Sequence, residues 1–363
     1  MSAPAGALLI YGANGYTGHL VAREAAARGL APVLAGRRAA QLSALAGELR
    51  LPHRVFGLEH PATLDAGLSG VAAVLHCAGP FADTSAPMAE ACLRTGTHYV
   101  DITGELSVFE ALAARSGAAR AAGVTLLPGA GFDVVPSDAL AATLAAALPG
   151  ATRLELAFLA LGGISHGTAL TLARNLGAPG AECRGGRLVS VPIGARRRDV
   201  DFGRGPVPCV SLPWGDVLTA HASTGIADIT AYGAVTPGVR RALAFRPAAR
   251  ALGALASLAP VQRLLVRRLT RGQPGPTEAQ RAAGRGLFWG EASDAAGARV
   301  SGLLATPEGY SFTAVSAVAI ARRVMEGGVP AGFQTPSRAC GARWLLALPG
   351  ISGLAGVVAD CRG

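Results

Sequence analysis

Three glycines spaced three apart, Gly12, Gly15 and Gly18, stand in the phrase Leu8-Leu9-Ile10-Tyr11-Gly12-Ala13-Asn14-Gly15-Tyr16-Thr17-Gly18, between an apolar run that reads as a strand and an Ala-rich stretch that reads as a helix. A turn this tight needs residues without Cβ so that backbone N–H groups can approach a pyrophosphate, which then sits at the positive end of the helix. Gly12, Asn14, Gly15, Tyr16, Thr17 and Gly18 are therefore the expected phosphate-binding residues. The spacing differs from the commoner G-x-G-x-x-G, and in a chain with 49 glycines the triplet alone suits a ligand-free turn equally well. Its place at the first strand-to-helix junction favours the dinucleotide.

The second apolar run ends Leu34-Ala35-Gly36-Arg37-Arg38. NAD binding calls for a carboxylate there, to accept from the ribose 2′-hydroxyl. Arg37 and Arg38 would instead grip a 2′-phosphate through charge-assisted bonds, so the expected cofactor is NADP(H). The plainer alternative is two solvated arginines opening a helix. The fourth run ends in Cys77, Ala78, Gly79 and Pro80, small enough to flank a nicotinamide ribose.

A nicotinamide enzyme needs little beyond a positioned acid or base, because the cofactor carries the difficult step. Tyr99 and Asp101 on the fifth strand point to one side of it, since side chains alternate along a strand. Asp133 lies in the Gly-rich loop after the sixth. Each is a candidate catalytic residue, and Asp133 could equally bond its own backbone in a turn. His166, in a second Gly-rich turn, is either a substrate-side acid or a plain loop residue.

Positioning these groups requires a sheet. Candidate strands Ala7 to Tyr11, Pro32 to Ala35, Arg54 to Gly57, Ala72 to Cys77, His98 to Ile102 and Val124 to Leu127 alternate with helices Thr17 to Arg28, Ala40 to Leu49, Pro61 to Leu68, Ala86 to Arg94 and Leu106 to Ala122. With right-handed crossovers this order folds into a doubly wound parallel α/β sheet whose ligands lie at its carboxyl edge. From about Thr152 the strands lengthen (Arg153 to Leu161, Arg187 to Ile193, Arg299 to Thr306), which suggests a second, α+β domain. The expected division is residues 1–150, completed by 330–363, and 151–329.

Among 363 residues there is no Lys, which removes Schiff-base, PLP and P-loop chemistry at once. The six cysteines lack C-x-x-C or zinc-ligand spacing, so no metal is expected, and they read as reduced thiols of a cytoplasmic protein. Residues 238–272 hold eight arginines (240, 241, 246, 250, 263, 267, 268 and 271) interleaved with Leu, Val and Phe, and no acid. Such basic amphipathic helices suit peripheral contact with an anionic inner-membrane surface, or a solvated face around a dimer helix. No nucleic-acid motif accompanies the charge, and aromatics are 5%, so no nucleic-acid partner is expected. The most apolar C-terminal stretch, Trp344 to Ala359, is too short and too interrupted by Pro and Gly for a membrane span.

The chain resembles the saccharopine dehydrogenase-like NADP-binding oxidoreductases, including the trans-acting enoyl reductases. The matching phrases are Gly12 to Gly18, Leu34-Ala35-Gly36-Arg37, Cys77 to Phe81, Gly96 to Glu105 and Gly129 to Asp138, with weaker echoes at Gly167-Thr168, Glu308-Gly309-Tyr310 and Gly327-Gly328-Val329. The likeness is dense over about the first 140 residues. It implies a Rossmann domain, a second α+β domain for substrate and dimerisation, a C-terminal segment returning to the first domain, and reduction of an acyl-type or amino-acid-derived small molecule. A Lys-free chain lacks the acid-base lysine of the lysine-forming saccharopine dehydrogenases, which argues against saccharopine as substrate. The competing expectation is a catalytically silent NADP-binding protein whose basic segment docks on a membrane or partner.

Overall fold

A computed structural model of the chain describes residues 6–175, 179–244, 255, 258–270, 274–353 and 358–360. Arg246, Arg250, Arg271 and Cys361 lie outside the described residues. Two compact units form: Met1–Val135 with Tyr310–Gly341, and Pro136–Gly309 with Ala342–Gly363.

Strands of a parallel sheet covered on both faces must be apolar throughout. The first unit supplies such runs in β1 (Ala7–Tyr11), β2 (Val33–Gly36) and β4 (Val71–His76), flanked by the shorter β3 (His53–Val55), β5 (His98–Asp101) and β6 (Thr125–Leu127). Between them lie α1 (Tyr16–Ala27), α2 (Ala39–Leu49), α3 (Pro61–Gly67), α4 (Phe81–Thr95), α5 (Leu106–Ala114) and α6 (Ser116–Ala121). The sheet has seven parallel strands, running from Gly332–Phe333 through β6, β5, β4, β1 and β2 to β3. Strand order reverses between β1 and β4, where Leu9 pairs with Val33 on one side and Val74 on the other. That reversal opens a crevice at the carboxyl ends of the two strands. Leu9, Ile10, Leu34 and Leu75 are fully buried around it.

Two helices differ from their expected extents. The helix expected over Ala86 to Arg94 begins at Phe81 and carries Pro87 inside it. The single helix expected over residues 106–122 breaks at Arg115 (φ −84°, ψ 0°).

The domain limits differ as well. The first unit ends at Val135, because α7 (Val135–Ala147) packs into the second: a Cβ on Gly290 would stand 2.8 Å from Leu144 and 3.1 Å from Leu140. The chain re-enters the first unit at Tyr310, twenty residues before the expected return, through the helix Gly309–Met325. Within that unit Ser316 Oγ donates to the carbonyl of Ala130 (2.8 Å), and Gly332–Phe333 extends the sheet beside β6. The tail belongs elsewhere: Ser352–Gly353 and Val358–Asp360 pair with the second unit's strand Arg299–Pro307.

The second unit is a mixed sheet. Its strands are β7 (Arg153–Leu161), β8 (Gly180–Arg184), β9 (Arg187–Val191), β10 (Arg197–Asp201), β11 (Pro206–Ser211), β12 (Asp228–Ala234), β13 (Arg285–Ser293) and β14 (Arg299–Pro307). The main path runs β10, β11, β12, β7, β13, β14, with β12 and β7 parallel and the other neighbours antiparallel. On β13 and β14, buried residues such as Phe288, Ala292, Val300 and Leu304 alternate with more exposed ones, the pattern of a sheet covered more fully on one face. Its helices include α8 (His166–Asn175), α9 (Asp216–Thr224), α10 (Pro237–Ala244) and α11 (Ala259–Thr270). No helix among the described residues is long and apolar enough to cross a membrane. Cys77, Cys92, Cys183, Cys209 and Cys340 are free thiols.

Candidate active site at the carboxyl edge of the first unit

The glycine turn is held from two sides. Gly12 adopts φ +80°, a conformation that costs other residues a Cβ clash, and the amides of Gly12 and Ala13 donate to the carbonyl of Ala35 at 2.8 and 3.2 Å. A Cβ on Gly12 would stand 2.8 Å from Ala78, and one on Gly18 only 2.1 Å from the carbonyl oxygen of Gly12. The turn therefore closes against the end of β4, as the small residues Cys77 to Pro80 require. Gly15 is exposed at the start of α1. That helix has no side-chain cap and no acidic residue in its first turn, so its positive end is left for an external anion. Tyr16 and Thr17 are partly buried, and the Tyr16 ring meets the edge of Tyr310 at 5.1 Å between centroids.

Gln41 ties the turn to the second strand. Its Oε1 accepts from Asn14 Nδ2 (3.0 Å) and from Arg38 Nη1 (3.2 Å). Gly36 permits this approach, since a Cβ there would lie 2.7 Å from Asn14 Oδ1. Arg37 points into solvent, 71% exposed, with Glu59 at 3.9 Å. Asn14 and Arg38 thus share one partner, while Arg37 faces a carboxylate. Neither Gln41 nor Glu59 was expected from sequence; Glu59 follows β3, whose Val55 pairs with Gly36.

At the end of β4 the peptide between Gly79 and Pro80 is cis. Thr84 Oγ1 lies 2.6 Å from the carbonyl oxygen of Ala78, to which it donates, and 3.0 Å from His76 Nε2. Burial lowers His76 to about 3, so the ring is neutral; with Thr84 donating to Ala78, its Nε2–H donates to Thr84 and Nδ1 is left buried without a partner. Burial also pushes the Cys77 thiol up, which removes it as a nucleophile at neutral pH. Glu105, the last residue of the phrase Gly96 to Glu105, accepts from the amides of Phe81 and Ala82, both at 2.9 Å. The positive end of α4 is thereby filled by the protein itself.

Tyr99 and Asp101 do meet, but beneath the surface. Both are fully buried, and Tyr99 donates its hydroxyl to Asp101 Oδ2 at 2.7 Å. Asp101 Oδ1 accepts from the amides of Thr103 (2.9 Å) and Gly129 (3.0 Å). Burial raises Asp101 to about 6 against the pull of those donors, and holds the Tyr99 phenol well above its ordinary value. The pair is closed off from solvent, and its hydrogen bonds run to the protein's own backbone and to each other. Through Asp101 the pair ties together the loops after β5 and β6.

Asp133 rides on the second of those loops and is only partly buried. Its Oδ2 would lie 2.7 Å from a Cβ on Gly104, so the two loops touch where Gly104 has no side chain. Burial pushes its carboxyl up to about 6. The loop is anchored from the returning helix, Thr313 Oγ1 accepting from the Phe132 amide at 3.0 Å. His166 lies in the other unit, exposed, with its amide donating to Pro274. No His, Cys, Asp and Glu cluster able to hold a metal occurs among the described residues.

Residues 8–127, the span that carries the turn, the arginines and the β4 end, match the family described as saccharopine dehydrogenase NADP binding domain. That part of the first unit is similar to the family's NADP-binding domain. Similar proteins include a trans-acting enoyl reductase of Mycobacterium leprae (strain TN), 36% identical over 142 residues, which are 36% of this chain and 33% of that protein. A saccharopine dehydrogenase-like oxidoreductase of Mus musculus is 30% identical over 151 residues, 36% of this chain and 35% of that protein. The matched span is thus about a third of these relatives' length. Among solved structures, the apo saccharopine dehydrogenase (L-Glu forming) of Saccharomyces cerevisiae superposes with a TM-score of 0.61, covering 94% of this chain and 96% of that one at 13% identity. The likeness in fold therefore extends over both units, whereas that in sequence stays with the NADP-binding domain.

Proposed function

We propose that the chain is an NADPH-dependent oxidoreductase that reduces an enoyl, acyl-type or imine-type substrate, small or lipid-like. The observation that carries this reading is the family match over residues 8–127, joined to a helix end at Gly15 with no cap of its own. When bound, NADPH supplies the hydride. The residues that would hold it are Gly12, Asn14, Gly15, Tyr16, Thr17 and Gly18 at the pyrophosphate, Arg37 and Arg38 at the 2′-phosphate, and Cys77 to Pro80 at the nicotinamide ribose. Asp133 is the candidate to hold and release a proton, since a carboxyl raised to about 6 is partly protonated near neutrality. The second unit would bind the substrate.

NADPH oxidation measured with a panel of enoyl thioesters, imines and aldehydes tests this, with turnover of at least one class expected. Tight NADPH binding with no turnover on any of them selects the second reading, a catalytically silent NADP-binding protein. The full burial of Tyr99 and Asp101, with Asp133 alone of the three candidates partly exposed, supports that alternative.

A further inference from the structure

Apolar side chains left in water collect in one short part of the second unit. Of the eight large hydrophobics exposed among the described residues, four fall within residues 239–264: Val239, Leu255, Leu258 and Leu264. The surrounding sequence is strongly basic, since residues 238–272 hold eight arginines and no acid in a protein of net charge +10. Scattered exposed leucines need no explanation, but a cluster interleaved with one sign of charge does.

The described part of α11 shows how the two are arranged. One side of the helix docks on α8 through Val266, which packs against Ala169. Leu264 lies on the opposite side at 54% exposure, and Arg267 and Arg268, three and four residues on, are exposed beside it. A leucine turned outward between arginines gains nothing from the core. Its natural solvent is the boundary between lipid headgroups and acyl chains, with the long arginine stems reaching back to phosphates. Along the chain at α10, Arg197, Arg240 and Arg241 line an open cleft of about 420 Å³ with Pro208, Pro237 and the single acid Asp199, which pairs with Arg240.

Charge decides between occupants. A second copy docking the same face would bring like charges together. A nucleic acid would look for stacking partners, and residues 238–272 offer one aromatic, Phe245. We infer that α11, with Leu258 just before it, forms a peripheral docking face for a bilayer rich in anionic phospholipid, with Leu258 and Leu264 entering the interface and Arg263, Arg267 and Arg268 engaging headgroup phosphates.

Co-sedimentation of the full chain with phosphatidylcholine vesicles, with and without phosphatidylglycerol, tests the inference. Binding is expected only to the anionic vesicles, and to weaken as salt rises. Replacing Arg263, Arg267 and Arg268 by Gln lowers partitioning by about a hundredfold, at roughly fivefold per arginine. Leu258→Ser with Leu264→Ser lowers it by a further ~10-fold or more. Circular dichroism shows that each variant is folded. The inference is overturned if folded wild-type protein ignores anionic vesicles at low salt, or if either set of substitutions leaves binding unchanged. Displacement by millimolar inorganic phosphate, which would mark a site for the free anion, also overturns it. So does equally tight binding to single-stranded RNA, or self-association that the leucine substitutions abolish.

Discussion

Arg37 stands 3.9 Å from Glu59, and both side chains are mostly in solvent. An exposed pair of this kind contributes little to stability, about 0 to 1 kcal/mol. Its weight falls on the ligand: a carboxylate beside the guanidinium competes with a 2′-phosphate for it. Arg37→Ala weakens NADPH binding by ~1.5 to 3 kcal/mol, the worth of a bond to a charged group, and leaves NADH nearly unchanged. Glu59→Gln moves NADPH affinity the other way, by up to about 1 kcal/mol. Calorimetric titration of both variants with both coenzymes checks this; equal effects on NADH and NADPH would remove Arg37 from the 2′-phosphate site.

Glycine at position 18 is irreplaceable for a reason that no rotamer can relieve, because the added carbon would meet a backbone oxygen at 2.1 Å. Gly18→Ala is expected to destabilise the chain by about 1 to 3 kcal/mol through overpacking and to abolish NADPH binding. Gly47, exposed in α2 with nothing within 4 Å of the place a methyl group would take, is the counterpart. Gly47→Ala should stabilise by about 0.4 to 1 kcal/mol by narrowing the unfolded ensemble. Urea unfolding of the two variants reads out the contrast.

Removing the Tyr99 hydroxyl separates positioning from catalysis. Tyr99→Phe leaves a buried carboxyl short of one donor, which costs about 1 to 3 kcal/mol of stability, yet turnover per folded molecule should persist. Asp133→Asn is expected to do the reverse in the assay, lowering kcat with NADPH affinity unchanged. If Tyr99→Phe abolishes turnover in protein shown to be folded, the buried pair reaches the chemistry after all.

The two raised carboxyls and His76 pull stability in opposite directions with pH. His76, lowered to about 3, contributes stability at neutral pH that is lost as the pH falls from about 6.5 toward 3. Asp101 and Asp133, raised to about 6, contribute stability at low pH that is lost as the pH rises from about 4 through 6. Asp133→Asn removes one of the two counterweights, so the variant should lose stability relative to wild type as the pH is lowered from 6 to 4. Denaturant midpoints at those two pH values provide the measurement, and parallel curves would contradict the raised carboxyl.

Much of the NADP-binding domain was legible because its signals are local. β1 and the glycine turn can be read from one unbroken phrase, Leu8 to Gly18, and the alternation through β6 from apolar runs separated by helix-length stretches. What escaped reading depends on pairing across the sheet. Glu59 comes to Arg37 only because β3 lies beside β2, and Glu105 reaches Phe81 only because β5 lies beside β4. Tyr99 and Asp101 share one side of their strand, as alternation requires, but depth is not written in so short a periodicity. The return of the chain at Tyr310 was legible only as a faint phrase, since Gly332–Phe333 is too short to announce itself as a strand.

That short strand sets an order of events during synthesis. The edge of β6 emerges from the ribosome about two hundred residues before Gly332 and Phe333 arrive to cover it. Until then the nascent chain displays unpaired amides and carbonyls, an invitation to association with neighbouring chains. A fragment ending near residue 150 would keep that edge permanently bare, so excising the nucleotide-binding part for study calls for residues 310–341 to be grafted back.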